Sequence, residues 1–293
     1  MFKGIITPMV TIFNDDGTVD TKNQSILVEK LISDGVDGIV ALGSVGEFFN
    51  LSLKEKKDYV KFISEVVGGR VKLIVGTGSN DIKEVIELNK YAKECGADAV
   101  LIITPYFFSL NEEYVHEYYS TIAKNTKLPI LLYNFPARTS TNLSPNFVLK
   151  LVTEFENIVG IKDTTDSISN VRGYVQKVKS YKKDFSIFSG FDEYLIPNLN
   201  CGGDGIIGGL TNIKANLFID TYKAFLNNDL DKISNYQKKI NGLMELYNQV
   251  DPFIVALKEA VRISLGLNIN VSLKNYNVKL DEKIKGKIKE LII

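Results

Sequence analysis

The sequence of 293 residues has no tryptophan, one histidine and two cysteines. Cys95 and Cys201 are too few for a disulfide framework or a zinc ligand set, and they fit a reducing compartment. A Ser-His-Asp hydrolase, an HExxH zinc site and a histidine metal cluster all need a catalytic or ligating histidine. The single one, His116, lies in a polar, tyrosine-rich stretch that is typical of a helix face. We expect it at the surface or in an interface, which leaves proton transfer to Tyr, Lys, Asp or Glu.

The chain also lacks net charge, because 35 basic side chains balance 35 acidic ones. No basic block is present, so a nucleic-acid partner is not expected. The apolar runs are far shorter than the ~20 residues of a membrane span, and no signal peptide is visible. With 45% hydrophobic and 24% charged residues, the composition is that of a folded protein with a large core. We therefore expect a cytoplasmic protein that contacts neither membrane nor nucleic acid.

Short, uniformly apolar runs alternate along the chain with longer segments of helical periodicity. Uniform rather than alternating hydrophobicity is typical of strands that helices cover on both faces. One intervening helical segment begins with a capping box between Ser52 and Glu55, and another has Asn80 as its expected N-cap. The predicted strands are 4–7, 38–42, 72–76, 99–103, 130–133, 158–162, 185–188 and 205–207.

Strands that are each followed by a helix predict an α/β fold, the (β/α)8 TIM barrel. A doubly wound sheet with a Rossmann site is the alternative, but it requires a GxGxxG motif after the first strand. This chain instead has Gly-Ile-Ile-Thr-Pro-Met from residue 4. After residue 210 only helical patterns follow, beginning at about residue 216. We expect a barrel over residues 1–226 and a C-terminal helical extension over residues 227–293, packed on the barrel as one compact unit.

Lys162 is the strongest candidate for chemistry, because it ends the predicted sixth strand directly after an apolar run. The active site of such a barrel lies at the carboxyl ends of its strands. Burial there disfavours the ammonium form, and a neutral amine can attack a ketone to form a Schiff base. An ion pair with Asp163 or another carboxylate is the alternative. Tyr133 ends the neighbouring strand and is either the proton carrier or a tyrosine hydrogen-bonded at the barrel mouth.

Two glycine-containing turns are weaker candidates. The turn after strand two offers the Ser44 hydroxyl and backbone N–H groups that suit a carboxylate, although Gly-Ser turns are also common without any ligand. Gly208 and Gly209 follow the last strand, where many barrels bind phosphate, but small residues there can simply leave room.

Three motifs taken together resemble a known family. They are Gly43-Ser44-x-Gly46-Glu47, Tyr133-Asn134-x-Pro136 and Gly160-x-Lys162-Asp163. In these motifs, and over nearly its whole length, the chain resembles the dihydrodipicolinate synthase/N-acetylneuraminate lyase family of pyruvate-dependent class I aldolases. Members of that family are (β/α)8 barrels with a C-terminal helical extension.

The resemblance implies a role for particular residues. It implies that Lys162 forms the Schiff base, that Tyr133 transfers protons, and that Ser44 and the amide of Val45 hold the pyruvate carboxylate. It implies no metal or other cofactor, since the iminium takes the place of a Lewis acid. It also implies a homo-oligomer, a dimer of dimers. The expected contact surface is aromatic and comprises Tyr106, Phe107, Phe108, Tyr118 and Tyr119.

Departures from the family's motifs bear on the substrate. The lysine-pathway synthases have two threonines where this chain has Ser44 and Val45, and a second tyrosine where it has Phe107. Both changes count against a dedicated synthase. Arg138 favours a synthase. The resemblance implies that this arginine binds the carboxylate of an incoming aldehyde, and a guanidinium is shaped for that contact.

The other motif residues resemble those of the 2-keto-3-deoxy-sugar-acid aldolases. We expect a lyase that releases pyruvate and a small aldehyde from a keto sugar acid. One alternative is a 4-hydroxy-tetrahydrodipicolinate synthase, which condenses pyruvate with aspartate semialdehyde. The other is a barrel that binds a keto acid without turnover. Asp192 and Glu193 resemble the pair that holds the polyol tail in neuraminate lyases. The predicted substrate contacts are Val45, Gly46, Thr164, Arg138, Asp192, Glu193 and Ile207.

Overall fold

The computed structural model describes residues 1–293 and has a closed barrel of parallel strands at its centre. Each strand pairs with the next along the chain, and the last pairs with the first. This confirms the predicted (β/α)8 barrel. The strands are β1 Gly4–Pro8, β2 Gly38–Ala41, β3 Lys72–Gly76, β4 Ala99–Ile103, β5 Ile130–Asn134, β6 Ile158–Asp163, β7 Ser186–Ser189 and β8 Gly205–Ile207.

Helices connect the strands and continue after the last one. Those up to the end of the barrel are α1 Thr21–Asp34, α2 Leu53–Val67, α3 Ile82–Glu94, α4 Glu112–Asn125, α5 Pro136–Thr139, α6 Pro145–Glu154, α7 Ile168–Tyr174, α8 Leu195–Asn200 and α9 Thr211–Leu226. The C-terminal helices are α10 Leu230–Leu243, α11 Ile254–Leu265 and α12 Glu282–Ile292. None of the helices has both the length and the apolar character that crossing a membrane requires.

Helix starts follow from local hydrogen bonding. The expected capping box of α2 is present, with the Ser52 side chain accepting from the Glu55 N–H and Glu55 accepting from the Ser52 N–H. The N-cap of α3 is Asp81 rather than Asn80, because the Asn80 side chain instead accepts the N–H of Tyr106 at 2.9 Å. Helix α9 begins at Thr211, earlier than expected. A kink at Lys214 separates its first turn from the part that the sequence pattern predicts.

One cluster of buried apolar side chains extends from Ile5 in β1 to Ile292 in α12, so the C-terminal helices share the core of the barrel. Closure of the barrel brings the β1 and β8 backbones into contact. A Cβ atom on Gly205 would lie 2.0 Å from the Gly4 carbonyl oxygen, so this strand pairing requires glycine.

The aromatic surface is smaller than expected. Tyr118 and Tyr119 are buried in α4, and their hydroxyls donate to the carbonyls of Ser79 and Ile102. Phe107 and Phe108 remain 83% and 72% exposed. His116 lies partly exposed on α4 with Nε2 2.8 Å from Glu154, in agreement with the expected surface position. Cys95 and Cys201 are free thiols.

Candidate active site

A cavity of about 230 Å³ opens at the carboxyl ends of the strands. Most of the predicted site residues lie together in its wall, and only Gly46 and Glu193 are not part of it. The predicted residues that line the cavity are Ser44, Val45, Tyr133, Arg138, Lys162, Thr164, Asp192 and Ile207.

Strand register places Lys162 beside Tyr133. The two residues are paired neighbours on β6 and β5, and the Lys162 Nζ lies 4.3 Å from the centroid of the Tyr133 ring. Lys162 is only 5% exposed. Because adjacent residues of a strand face opposite sides, Asp163 points away and accepts bonds from Asn134 Nδ2 at 2.7 Å and Thr165 Oγ1 at 2.6 Å. The alternative of a Lys162–Asp163 ion pair is therefore wrong.

The loop after β2 approaches the same point. Ser44 Oγ lies 3.3 Å from the Tyr133 hydroxyl oxygen. The N–H of Gly46 donates to the Gly43 carbonyl at 3.1 Å, so Gly46 stabilises the turn instead of facing the cavity as expected. The N–H groups of Ser44 and Val45 donate to no acceptor of the chain. Both donors are therefore free to receive a carboxylate.

A glycine makes room for the lysine. A Cβ atom on Gly190 would lie 1.9 Å from Thr164 Oγ1 and 3.0 Å from Lys162 Cε, so any other residue would displace both side chains. The Thr164 hydroxyl is buried without a partner in the chain. Gly190 follows β7 directly, and it therefore belongs to the construction of the site.

Asp192 is a buried part of the cavity wall, in the turn after β7. One carboxyl oxygen accepts the N–H of Leu210 at 2.9 Å, and the other accepts the hydroxyl of Tyr247 at 2.7 Å. Burial raises the pKa of Asp192 to about 7, although both bonds and the charge of Lys162 act to lower it. Tyr247 belongs to the C-terminal extension, so the extension contributes directly to the site.

Glu193 is half-buried and lies outside the cavity wall, in contrast to the expectation from sequence. Its backbone carbonyl accepts from Gln237 Nε2 at 2.9 Å, and its Oε2 atom is buried without a partner. Burial, with a further contribution from the charge of Asp166, raises the pKa of Glu193. Adjacent residues of the turn after β7 thus have different surroundings.

Sequence reasoning missed part of the wall. Three of the missed residues adjoin strand ends or their loops, and strand position could have identified them: Pro8, Phe135 and Gly190. Phe191 follows Gly190 in the turn after β7, so strand position could have identified it as well. Gly209, which the sequence offered only as part of a phosphate-binding turn, also lines the cavity. Tyr247 and Phe253 come from the extension, and no local pattern marks them as site residues.

Comparisons with known proteins agree with this geometry. Residues 1–293 match the model of the Dihydrodipicolinate synthetase family. YagE of Escherichia coli strain K12, provisionally named a 2-dehydro-3-deoxy-D-gluconate aldolase, is 35% identical over 292 residues, which cover 100% of this chain and 96% of YagE. The crystal structure of YagE in complex with pyruvate has a TM-score of 0.95 and covers 99% of this chain and 97% of that one.

Two further relatives have different names. A 4-hydroxy-tetrahydrodipicolinate synthase of Thermoanaerobacter sp. strain X514 is 34% identical over 270 residues, covering 92% of this chain and 89% of that protein. The structure of 2-keto 3-deoxygluconate aldolase from Picrophilus torridus is 29% identical, has a TM-score of 0.88, and covers 96% of this chain and 100% of that one. The family that the motifs suggested is thereby confirmed. The chain belongs to the dihydrodipicolinate synthase family of pyruvate-dependent lyases and aldolases.

Proposed function

We propose that this enzyme is a Schiff-base-forming class I aldolase that cleaves a 2-keto-3-deoxy sugar acid into pyruvate and an aldehyde. The observation that carries the proposal is the buried Lys162 amine, which lies against the Tyr133 ring in a cavity of about 230 Å³. An amine at this position is placed to attack a ketone, and a phenol beside it is placed to move protons.

The first step is formation of the covalent intermediate. The free N–H groups of Ser44 and Val45 bind the carboxylate of the keto acid, and this contact places C2 next to Lys162. The Lys162 amine attacks C2, and the carbonyl oxygen takes up one amine proton and the phenolic proton of Tyr133 and leaves as water. A protonated C=N bond forms, and Tyr133 is left as the phenolate. The resulting iminium is an electron sink for the carbon atoms next to it.

The second step breaks the carbon–carbon bond. Tyr133, as the phenolate, takes the proton of the C4 hydroxyl, the C3–C4 bond breaks, and its electron pair moves through C2 to the iminium nitrogen. The aldehyde leaves and an enamine remains on Lys162. Tyr133 returns the proton to C3, and water then hydrolyses the iminium to release pyruvate and the Lys162 amine. The proton freed by hydrolysis restores the Tyr133 phenol. Ser44 Oγ, 3.3 Å from the Tyr133 hydroxyl, can pass the proton between Tyr133 and the substrate.

A sugar acid suits the part of the cavity wall that Asp192 forms. Each oxygen of Asp192 accepts one bond from the protein and keeps a lone pair that can accept a sugar hydroxyl. The names of YagE and of the Picrophilus torridus enzyme support the same substrate class. Val45 and Phe107, which stand where the synthases have hydroxyl-bearing residues, support it as well.

A second candidate is condensation of pyruvate with aspartate semialdehyde, and Arg138 favours it. Arg70 and Arg262 form salt bridges with Glu29 and Glu259, whereas Arg138 lines the cavity without one. A guanidinium without a protein partner is available to bind the carboxylate of a second substrate. The Thermoanaerobacter relative has the name of such a synthase.

Borohydride reduction in the presence of pyruvate tests the proposal. We expect a stable adduct on Lys162, located by peptide mass mapping, and no adduct in Lys162→Met. Lys179→Met removes another largely buried lysine, one that pairs with Asp204, and should leave the adduct unchanged. An adduct on a different lysine, or none, would refute the mechanism. Turnover of keto sugar acids compared with turnover of pyruvate plus aspartate semialdehyde then separates the two candidates.

We further propose that the enzyme works in the cytoplasm as a homo-oligomer, a dimer of dimers. The rings of Phe107 and Phe108 pack edge to face at 4.8 Å and are otherwise exposed, as an interface between copies would require. The free thiols of Cys95 and Cys201 are consistent with a reducing compartment. Sedimentation at micromolar concentration should give a tetramer, and Phe107→Ser with Phe108→Ser should give smaller species. A monomeric wild-type protein would contradict this proposal.

A further inference from the structure

A buried ion pair lies outside the cavity and takes no part in the proposed chemistry. Lys258 Nζ in α11 contacts Glu47 Oε1, and both side chains are completely buried. Neither residue lines the cavity. Removing two charges from water is costly, and apolar side chains of similar volume are often at least as stable in such a place. Stability alone therefore does not account for the pair.

Glu47 is the last residue of the loop that carries Ser44 and Val45. Its backbone has the left-handed φ of 58°, which is uncommon for a residue other than glycine, and its N–H donates to the Ser44 carbonyl at 3.1 Å. Its Oε2 atom accepts the N–H of Lys274 at 3.0 Å and the amide of Asn50 at 3.1 Å. The carboxylate therefore connects the strained end of the loop to Lys258, Lys274 and Asn50.

Lys258 connects this carboxylate to the C-terminal extension. Its ammonium also donates to the Ser272 carbonyl at 3.0 Å and lies 4.8 Å from the centroid of the Phe13 ring. Burial lowers the pKa of Lys258, and the charge of Glu47 opposes that effect. The pair therefore links the loop after β2 to α11 and to the segment that follows it, more than 200 residues away in sequence.

We infer that Glu47 and Lys258 are positioning residues, which hold residues 43–46 so that the Ser44 and Val45 N–H groups point at the substrate carboxylate. The inference rests on the proposed function, because it assigns that carboxylate to these two donors. Fixed donors bind an anion without a cost for ordering the loop, so loss of the pair should weaken binding of the carboxylate more than it slows chemistry on Lys162.

The test compares two carboxylate-to-amide variants. Glu47→Gln removes the charge that faces Lys258. Asp204→Asn is the matched control, because Asp204 is also buried, accepts a lysine and a backbone N–H, and lies at the amino end of β8, opposite the cavity. Borohydride trapping of the wild type and both variants is measured over a range of pyruvate concentrations. For Glu47→Gln we expect the half-saturating concentration to rise about tenfold, equal to ~1.4 kcal/mol, with an unchanged adduct yield at saturation. For Asp204→Asn we expect less than about a twofold change.

Asn50→Ala covers the case in which Glu47→Gln does not fold. Asn50 is only partly buried, and its loss removes one donor to Glu47, so a rise of about threefold in the half-saturating concentration is expected. Equal shifts in the Glu47 and Asp204 variants, no shift in Asn50→Ala, or a lower saturating yield in Glu47→Gln would overturn the inference. These results would leave the proposed function intact as long as the wild type still forms its adduct on Lys162. A wild type without that adduct would instead refute the proposed function.

Discussion

The two sides of the cavity are built in different ways. Tyr133 and Lys162 stand on adjacent strands, and the backbone register of the barrel fixes their separation. On the other side, Asp192 lies in a short turn after β7, and Tyr247 reaches it from the C-terminal extension, 55 residues later. That contact depends on a single hydrogen bond between side chains, of 2.7 Å.

This difference suggests a division of tasks. Reacting groups must be held within a fraction of an ångström, and paired barrel strands supply that rigidity. A wall made by a turn and an added helical segment can change without disturbing the barrel, as binding loops on a rigid scaffold do. We therefore expect substitutions on the strand side to reduce kcat, and those on the extension side to change binding, pH response and substrate choice.

Among the substitutions that test this division of tasks, Tyr133→Phe should have the largest effect. It removes the proposed proton carrier but leaves the ring against Lys162, so kcat should fall by roughly 10²–10⁴-fold. Pyruvate should still be trapped on Lys162, although more slowly. Steady-state kinetics and timed borohydride trapping measure the two effects.

Tyr119→Phe is the matched control, since Tyr119 is also buried and its hydroxyl donates only to the Ile102 carbonyl, on α4 away from the cavity. Its kcat should stay near the wild-type value. If Tyr133→Phe also kept near-native turnover, the proton would have to travel through water or Ser44, and the strand side would lose its proposed role.

Asp192→Asn should have a smaller effect, which is a change in how the free energy of unfolding depends on pH. Folding raises the pKa of Asp192 from 3.8 to about 7, so its contribution to stability is full below pH 3.8 and is lost as pH rises through about 7. The neutral amide carries no such loss. Relative to the wild type, the free energy of unfolding of Asp192→Asn should therefore increase between pH 4 and 7 by roughly 3–5 kcal/mol and then level off.

Urea unfolding at a series of pH values measures this difference. Tyr247→Phe provides the companion measurement, because the Tyr247 hydroxyl lowers the pKa of Asp192. Without that hydroxyl, the loss of stability should extend to higher pH. A constant difference between Asp192→Asn and the wild type over the whole range would show that the carboxyl does not titrate there.

The strand side is also the side that the sequence predicts. Uniformly apolar runs mark buried parallel strands, and a lysine or tyrosine at the end of such a run must lie at the barrel mouth. That rule places Lys162 and Tyr133 at the barrel mouth, whereas their expected roles come from the resemblance to the family. Their positions side by side follow from register, because β5 and β6 are consecutive strands that pair Tyr133 with Lys162.

The extension side could not be predicted in the same way. Tyr247 lies in a short helical turn, Met244–Asn248, and Phe253 directly precedes α11. No local pattern marks either residue, and only the tertiary fold brings them to the cavity. The Glu47–Lys258 pair joins residues 211 positions apart, a separation at which no spacing rule applies. Glu193 shows a limit of motif similarity: it resembles one member of a tail-binding pair, but of Asp192 and Glu193 only Asp192 lines the cavity.

Arg138→Leu should have the smallest effect on sugar-acid cleavage, and it tests which second substrate the cavity accepts. Cleavage to a neutral aldehyde leaves no second carboxylate for the guanidinium, so kcat/KM should fall by less than about threefold. Arg172→Leu, another exposed arginine that lies on α7 outside the cavity wall, is the control and should be silent. If the enzyme instead condenses pyruvate with aspartate semialdehyde, Arg138→Leu should cost roughly 2–5 kcal/mol, because a carboxylate bound in the cavity would lose its partner. Measuring kcat/KM of both variants with both substrate types decides the matter, and a large Arg138 effect together with condensation activity would reverse the assignment of substrate.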